Sequence, residues 1–298
     1  MTRRPIRMLP GVALCAAWLC ALSFSAPIRT TGDDVSDPRD MARSFLREFV
    51  LSEFVEITPG RGKFPATFVM GDSSGPENCH PAHEVRFASG FWIARTEVPQ
   101  HLYSVVMGQN PSRWKGPRNS AEMFTFSDAR NFCRRLTDLL HSMELLPADE
   151  EIRLPTEAEW EYCCRAGTNT AYSFGDSALL PGEAGNQTGL LNEFGWHTGN
   201  AAGNDPPAGA KKPNPWGLYD MHGYLWEFVL DGWHDNYEGA PADGSAWTGG
   251  EADPPRVIRG GSWKDRFDVL KSTSRRSIAP EAADDAVGFR CVRAKTAK

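Results

Sequence analysis

The stretch "NPWGLYDMHGYLWEF", Asn214 to Phe228, sets the character of this chain: glycines, aromatic rings and two carboxylates crowd into one turn-rich segment. Asp220, Gly223 and Glu227 fall close together within it. Two carboxylates beside main-chain carbonyls form the kind of donor set that a hard, oxygen-seeking Ca²⁺ ion takes. Asp and Glu also cap ordinary turns, so composition leaves both readings open.

The same punctuation runs through the rest of the sequence. Gly 28 and Pro 22 in 298 residues shorten helices and strands and leave much of the backbone in ordered turns. The Trp count of 10 supplies rigid aromatic area to fill the gaps between them. Hydrophobic content of 41% and charged content of 23% are those of a soluble globular protein. A net charge of −6 argues against a nucleic-acid binder. No internal repeat and no clean boundary appear beyond Val55, so one domain is expected there.

Arg3, Arg4 and Arg7 precede an apolar run from Gly11 to Leu22, and small residues follow to Ala26. This pattern predicts a signal peptide over residues 1–26, shorter in its apolar part than the ~20 residues of a membrane span. The expectation is an exported protein, periplasmic or secreted, without stable membrane insertion. The exported chain keeps Cys79, Cys133, Cys163, Cys164 and Cys291, an odd set whose pairing spacing alone does not give.

Residues 27–54 read as a polar linker and a short helix that Asp37 caps, with Met41, Phe45 and Phe49 on one face. Short alternating runs to Arg95 read as strands. A second helix is predicted over "FSDARNFCRRLTDLLHSMELL", with Ser127 as its cap. A third, "LPTEAEWEYCCRAG", has Thr156 and Glu159 spaced as a capping box and Gly167 as its stop. Glu157, Glu159 and Glu161 then read as partners of the helix dipole in preference to catalytic acids.

"CHPAH", Cys79 to His83, reads as an exposed loop with a spare thiol in preference to a zinc site, since no second ligand cluster accompanies it. Asn186-Gln187-Thr188 is a glycosylation sequon for a host that glycosylates. "RVIRGGSWKDRFDVLKSTSRRS", Arg256 to Ser277, is strongly basic. Arg256, Arg259, Arg275 and Arg276 either pair with acids such as Asp284, Asp285 and Glu227 or offer a surface to an acidic or peptide ligand.

Taken in order, "RLPTEAEWEYCCRAG", "NPWGLYDMHGYLWEF", "RVIRGGSW" and "VGFRC" resemble the formylglycine-generating enzyme (sulfatase-modifying factor) family, as do "FVMG" and "FWIARTEV". The resemblance implies a single α+β domain over residues 55–295, with little regular secondary structure and a distant likeness to C-type lectins. It implies a Ca²⁺ ion on the side chains of Asp220 and Glu227 and the carbonyls of Gly223 and Leu225, with Tyr224 where the family usually has Asn. It also implies a disulfide between Cys133 and Cys291. Active members carry two cysteines after the GGSW turn, which bind copper(I) and activate O₂ to turn a substrate cysteine into formylglycine. Copper(I) calls for soft thiolates. Here those positions hold Asp265 and, at or beside Val269, Leu270, so copper is not expected. Nor is there the His triad of the family's iron-dependent relatives. The leading expectation is an exported binding or accessory module for a protein or peptide ligand. The rival is an oxidoreductase of the same fold with a remodelled site, for which Cys79 and Cys163 side by side in a cleft would speak.

Overall fold

A computed structural model describes residues 37–184, 187–201, 206–249 and 254–296. The expected signal peptide, most of the linker and Asn186 lie outside the described residues. Helix α1 (Pro38–Ser52) leads into β1 (Phe54–Ile57), followed by β2 (Phe68–Met70), β3 (His83–Val85) and β4 (Phe91–Ala94). Helices α2 (Gln100–Met107) and α3 (Phe126–Ser142), strand β5 (Glu150–Arg153) and helix α4 (Glu157–Arg165) follow. Strands β6 (Trp226–Gly232), β7 (Arg256–Arg259), β8 (Arg275–Ile278), β9 (Val287–Gly288) and β10 (Val292–Lys295) complete an α+β domain in which turns occupy much of the chain.

Two four-stranded sheets, ordered β1-β4-β10-β5 and β8-β7-β6-β9, are joined by the last segment of the chain. Val287 and Gly288 pair in parallel with Trp226 and Glu227 of one sheet. Val292 and Arg293 then pair antiparallel with Ile93 and Trp92 of the other. Between them Phe289, Arg290 and Cys291 are fully buried, so "VGFRC" is the stitch through the centre of the molecule.

Helices α1 to α3 cover the first sheet. Leu46 and Phe49 of α1, Leu102 and Val106 of α2, and Leu136 and Leu140 of α3 share one core with Phe228 and Phe289. Tyr103 stacks between Phe124 and Phe132 at 5.3 and 5.4 Å, placing flat aromatic area where short elements leave gaps. A second cluster surrounds α4, where Trp160, Cys163 and Cys164 are wholly buried among Tyr162, Trp216 and Met221.

Local signals fared unevenly. Thr156 caps α4 in the expected reciprocal box with Glu159. The left-handed turn that ends α4 begins one residue earlier than expected, at Ala166 (φ 49°), with Gly167 following at φ 90°. Helix α3 is capped by Thr125 and not by Ser127. The Thr125 side chain accepts from the Asp128 amide and Asp128 reaches back, two backbone donors satisfied where Ser127 would satisfy none. Helix α2 had no counterpart in the sequence reading; Pro99 precedes it and makes no side-chain cap.

In place of the expected disulfide, Cys133 and Cys291 are free thiols, both buried in the same core cluster. They interact, and burial followed by the Cys133 side chain pushes the Cys291 thiol up. The fold therefore brings the two sulfurs together, while their oxidation state depends on the compartment.

Candidate functional site

The turn quoted above is built on unusual backbone. Asp220, Gly223 and Tyr224 all have positive φ, at 57°, 111° and 105°. A Cβ on Gly223 would sit 2.4 Å from the Trp196 carbonyl and 2.5 Å from the Leu270 side chain, so only glycine lets the two loops meet. Tyr224, in the position where Asn was expected, is held by its hydroxyl, which donates to the Pro206 carbonyl (2.6 Å) and accepts from the Ser120 amide (3.3 Å). Such anchoring over-determines a strained φ that a bulky residue rarely adopts.

Three buried carboxylates surround this turn: Glu97, Asp220 and Glu227. Glu227 accepts a bidentate pair from Arg290 (2.6 and 2.7 Å) and a third bond from the Trp160 indole (3.1 Å). Asp220 Oδ2 accepts from the Gly209 amide at 2.6 Å, while its buried Oδ1 has no hydrogen-bond partner among the described residues. Burial, then repulsion from Asp220 and Glu227, drives the Glu97 carboxyl well above its usual range. Burial likewise lifts Asp220 to about 6. Glu97 was not singled out in the sequence; its one signal is its place in "FWIARTEV".

Among the described residues no three His, Cys, Asp or Glu side chains converge as a ready metal-ligand group. The expected calcium donors nonetheless fit a cation in three respects. Asp220 keeps an orphaned oxygen, and the carboxylates outnumber the one guanidinium that lies among them. Glu227 retains lone pairs beyond its bonds to Arg290 and Trp160.

The positions that the resemblance assigns to copper, Asp265 and Leu270, carry no thiolate. The tight turn at Gly260 and Gly261 (φ 101° and 76°) delivers Asp265 to the end of the second sheet. Its Oδ2 accepts from the Trp226 indole (2.7 Å), the Ser262 amide (3.1 Å) and the Ser262 hydroxyl (2.6 Å), and its Oδ1 accepts from Arg276 (2.9 Å). Leu270 is fully buried against Tyr172, Ala178 and Leu191. His222 pins that loop from inside. Its Nδ1–H donates to the Leu270 carbonyl at 2.9 Å, and its Nε2 accepts from the Ser173 amide at 3.1 Å. Burial pushes His222 down to about 4, which keeps it neutral.

The basic run divides by burial. Arg259 is paired with Glu161 and Arg275 with Glu157, both inside the domain. Glu157, Glu159 and Glu161 are thus more than dipole partners: Glu159 binds Arg153 at 2.7 Å and Glu161 binds Arg165 at 2.9 Å. Of the acids expected to pair with the run, Asp284 and Asp285 take Lys264, whereas Glu227 takes Arg290, which lies outside it. Arg256 lies over the Phe126 ring.

Cys79 is buried and donates to the Thr273 carbonyl at 3.2 Å, which corrects the expected exposed thiol. Its loop packs against the turn leading into β8, a contact nothing local in "CHPAH" announces. Burial pushes Cys79 up to about 11 and Cys164 to about 12, and Cys163 rises as well. Cys163 lies within α4 and Cys79 beside Thr273, so the two do not share an open cleft.

Beside Asp265 the surface turns aromatic. Trp263 meets Trp114 edge to face at 6.5 Å, and its indole donates to the Asp285 carbonyl. Arg113 lies over Trp114 and Arg276 over Trp226.

Known proteins fall into line with this geometry. The structure of PvdO from Pseudomonas aeruginosa superposes with a TM-score of 0.67 at 28% identity, covering 80% of this chain and 93% of that one. The chaperone protein LppX of Paenibacillus barcinonensis is 26% identical over 239 residues, 70% of this chain and 81% of the relative. The inactive C-alpha-formylglycine-generating enzyme 2 of Bos taurus is 32% identical over 154 residues, 47% of this chain and 43% of its own length. The profile of the sulfatase-modifying factor enzyme 1-like domain matches residues 47–295, and the chain belongs to that family.

Proposed function

We propose that this protein is an exported binding or accessory module of the sulfatase-modifying factor family and does not form formylglycine with copper. The observation that carries this reading is Asp265, whose carboxylate is already saturated by Trp226, Ser262 and Arg276, together with the burial of Leu270. A carboxylate locked by hydrogen bonds and an aliphatic core residue offer no soft donor to a monovalent metal. A relative named as an inactive enzyme and another named as a chaperone support the accessory role.

In this reading Ca²⁺ is structural. Asp220 and Glu227 would hold it with the carbonyls of Gly223 and Leu225, and it would supply positive charge to a buried acidic turn that backs the aromatic surface. The ligand-facing region is the rim around Trp263, with Trp114, Arg113 and Arg276. Titration of the reduced protein with copper(I), followed by oxygen uptake in the presence of a cysteine-containing sulfatase peptide, tests the proposal. Neither stoichiometric tight binding nor uptake is expected; tight binding accompanied by uptake would defeat it.

A further inference from the structure

Two arginines flank Trp263, and each is held in the same way. Arg113 donates from Nη1 to Asp285 at 3.1 Å and lies over the Trp114 ring at 5.1 Å. Arg276 donates from Nη2 to Asp265 at 2.9 Å and lies over the Trp226 ring at 4.6 Å. In both, a carboxylate fixes one edge of the guanidinium and an indole fixes its face. The side chains of the arginines are 64% and 52% exposed, while those of Asp285 and Asp265 are 7% and 11% exposed. Formal charge in each pair cancels, but the negative partner lies inward and the positive one outward.

Guanidinium groups so oriented have already lost most of the side-chain freedom that binding would remove. Their remaining N–H donors match the two oxygens of a carboxylate. Beside them the exposed ring of Trp114 and the half-buried ring of Trp263, 6.5 Å apart, offer apolar area. We infer that this face is a two-point carboxylate clamp for an acidic peptide segment, in which two carboxylates flank an apolar or aromatic side chain. The inference deepens the binding-module reading above and rests on it. Lys264 does not add a third point, since Asp284 and Asp285 both engage it. Arg266, at 68% exposure, pairs with the exposed Asp268 and adds no net charge to this face.

The test is calorimetric titration of the full-length exported chain with three capped pentapeptides. Each has tryptophan at its centre, flanked on both sides by paired glutamates, glutamines or lysines. The glutamate peptide should bind and the other two should not, with affinity falling as salt rises. Arg113→Gln and Arg276→Gln should each weaken binding about tenfold, and Arg134→Gln on α3 should leave it unchanged. Arg113→Lys keeps the charge but loses the planar fork, and it should also weaken binding. Circular dichroism spectra of all variants identify any that fail to fold, and Arg113→Gln, at an exposed site, remains the deciding variant. Failure of the glutamate peptide to bind, or binding indifferent to both Gln variants, overturns the clamp and leaves the module reading standing. Preferential binding of maltotetraose or of a dT oligonucleotide overturns the peptide assignment. Copper-dependent oxygen uptake, by contrast, overturns the module reading itself.

Discussion

Arg275 and Arg276 are neighbours on β8 and have opposite fates. The Arg275 side chain has no exposed surface; it binds both oxygens of Glu157 (2.8 and 3.0 Å), donates to the carbonyls of Asn78 and His234, and lies over Trp233 and Tyr237. Arg276 is 52% exposed, makes one ion pair, and lies over one ring. Strand alternation alone sends them to opposite faces. A cluster of basic residues read as one patch is therefore two populations, one internal scaffold and one surface. The lesson extends to Arg259, which is wholly buried, and Lys264, which is not.

The largest effect is expected at the buried arginine. Arg275→Ala leaves Glu157 charged and buried without its bidentate partner, and urea unfolding should show a loss of about 3–5 kcal/mol. A loss below 1 kcal/mol would place Arg275 with the surface residues. The next effect is in pH. The folded state holds His222 neutral, with a pKa of about 4. The unfolded chain protonates it near 6.5, so the unfolded state binds the extra proton between those values. Stability contributed by neutral His222 is fully present above pH 6.5 and is lost as pH falls toward 4, on the order of 3 kcal/mol. His222→Gln preserves a donor for Leu270 and an acceptor for Ser173 without titrating. Its thermal unfolding curve should therefore match that of the parent near pH 7 and lie progressively above it as pH falls through this window.

A smaller shift concerns the acidic turn. Saturating Ca²⁺ should raise the unfolding temperature by the equivalent of about 2–3 kcal/mol, and Asp220→Ala combined with Glu227→Ala should abolish the difference between Ca²⁺ and chelator. Equal melting with and without chelator in the parent removes the calcium proposal. The smallest effect belongs to Arg276→Gln. Loss of its exposed ion pair should change stability by less than about 1 kcal/mol, even though it weakens peptide binding about tenfold.

What the sequence disclosed and what it hid follow from the range of the interactions. Thr156 and Glu159 are three residues apart, and their capping box was readable because both partners sit in one turn of helix. Ser127 and Thr125 are both residue types that cap helices, and only the contact with Asp128 decides between them. Helix α2 escaped notice because it spans Gln100–Met107 with no polar cap, and burial of Leu102 and Val106 against α1 and α3 holds it.

The site shows the same division. That Asp265 and Leu270 stand where the family resemblance puts copper thiolates could be stated from the motif alone, since both follow the GGSW turn in sequence. The ring of donors around Asp265 was not, since Trp226, Ser262 and Arg276 come from separate elements. Glu97 reaches the acidic turn from the end of β4, far away in the chain. Cys79 was misjudged for the same reason, because its cover is Thr273.

Under the proposed function, Asp265 and Leu270 hold the fold together at the positions the resemblance assigns to copper and do no chemistry there. The most direct test is mass spectrometry of a cysteine-containing sulfatase peptide after aerobic incubation with the copper(I)-treated, reduced protein. The peptide should be recovered with its thiol intact; an aldehyde at that cysteine, formed in proportion to the protein added, would refute the proposed function.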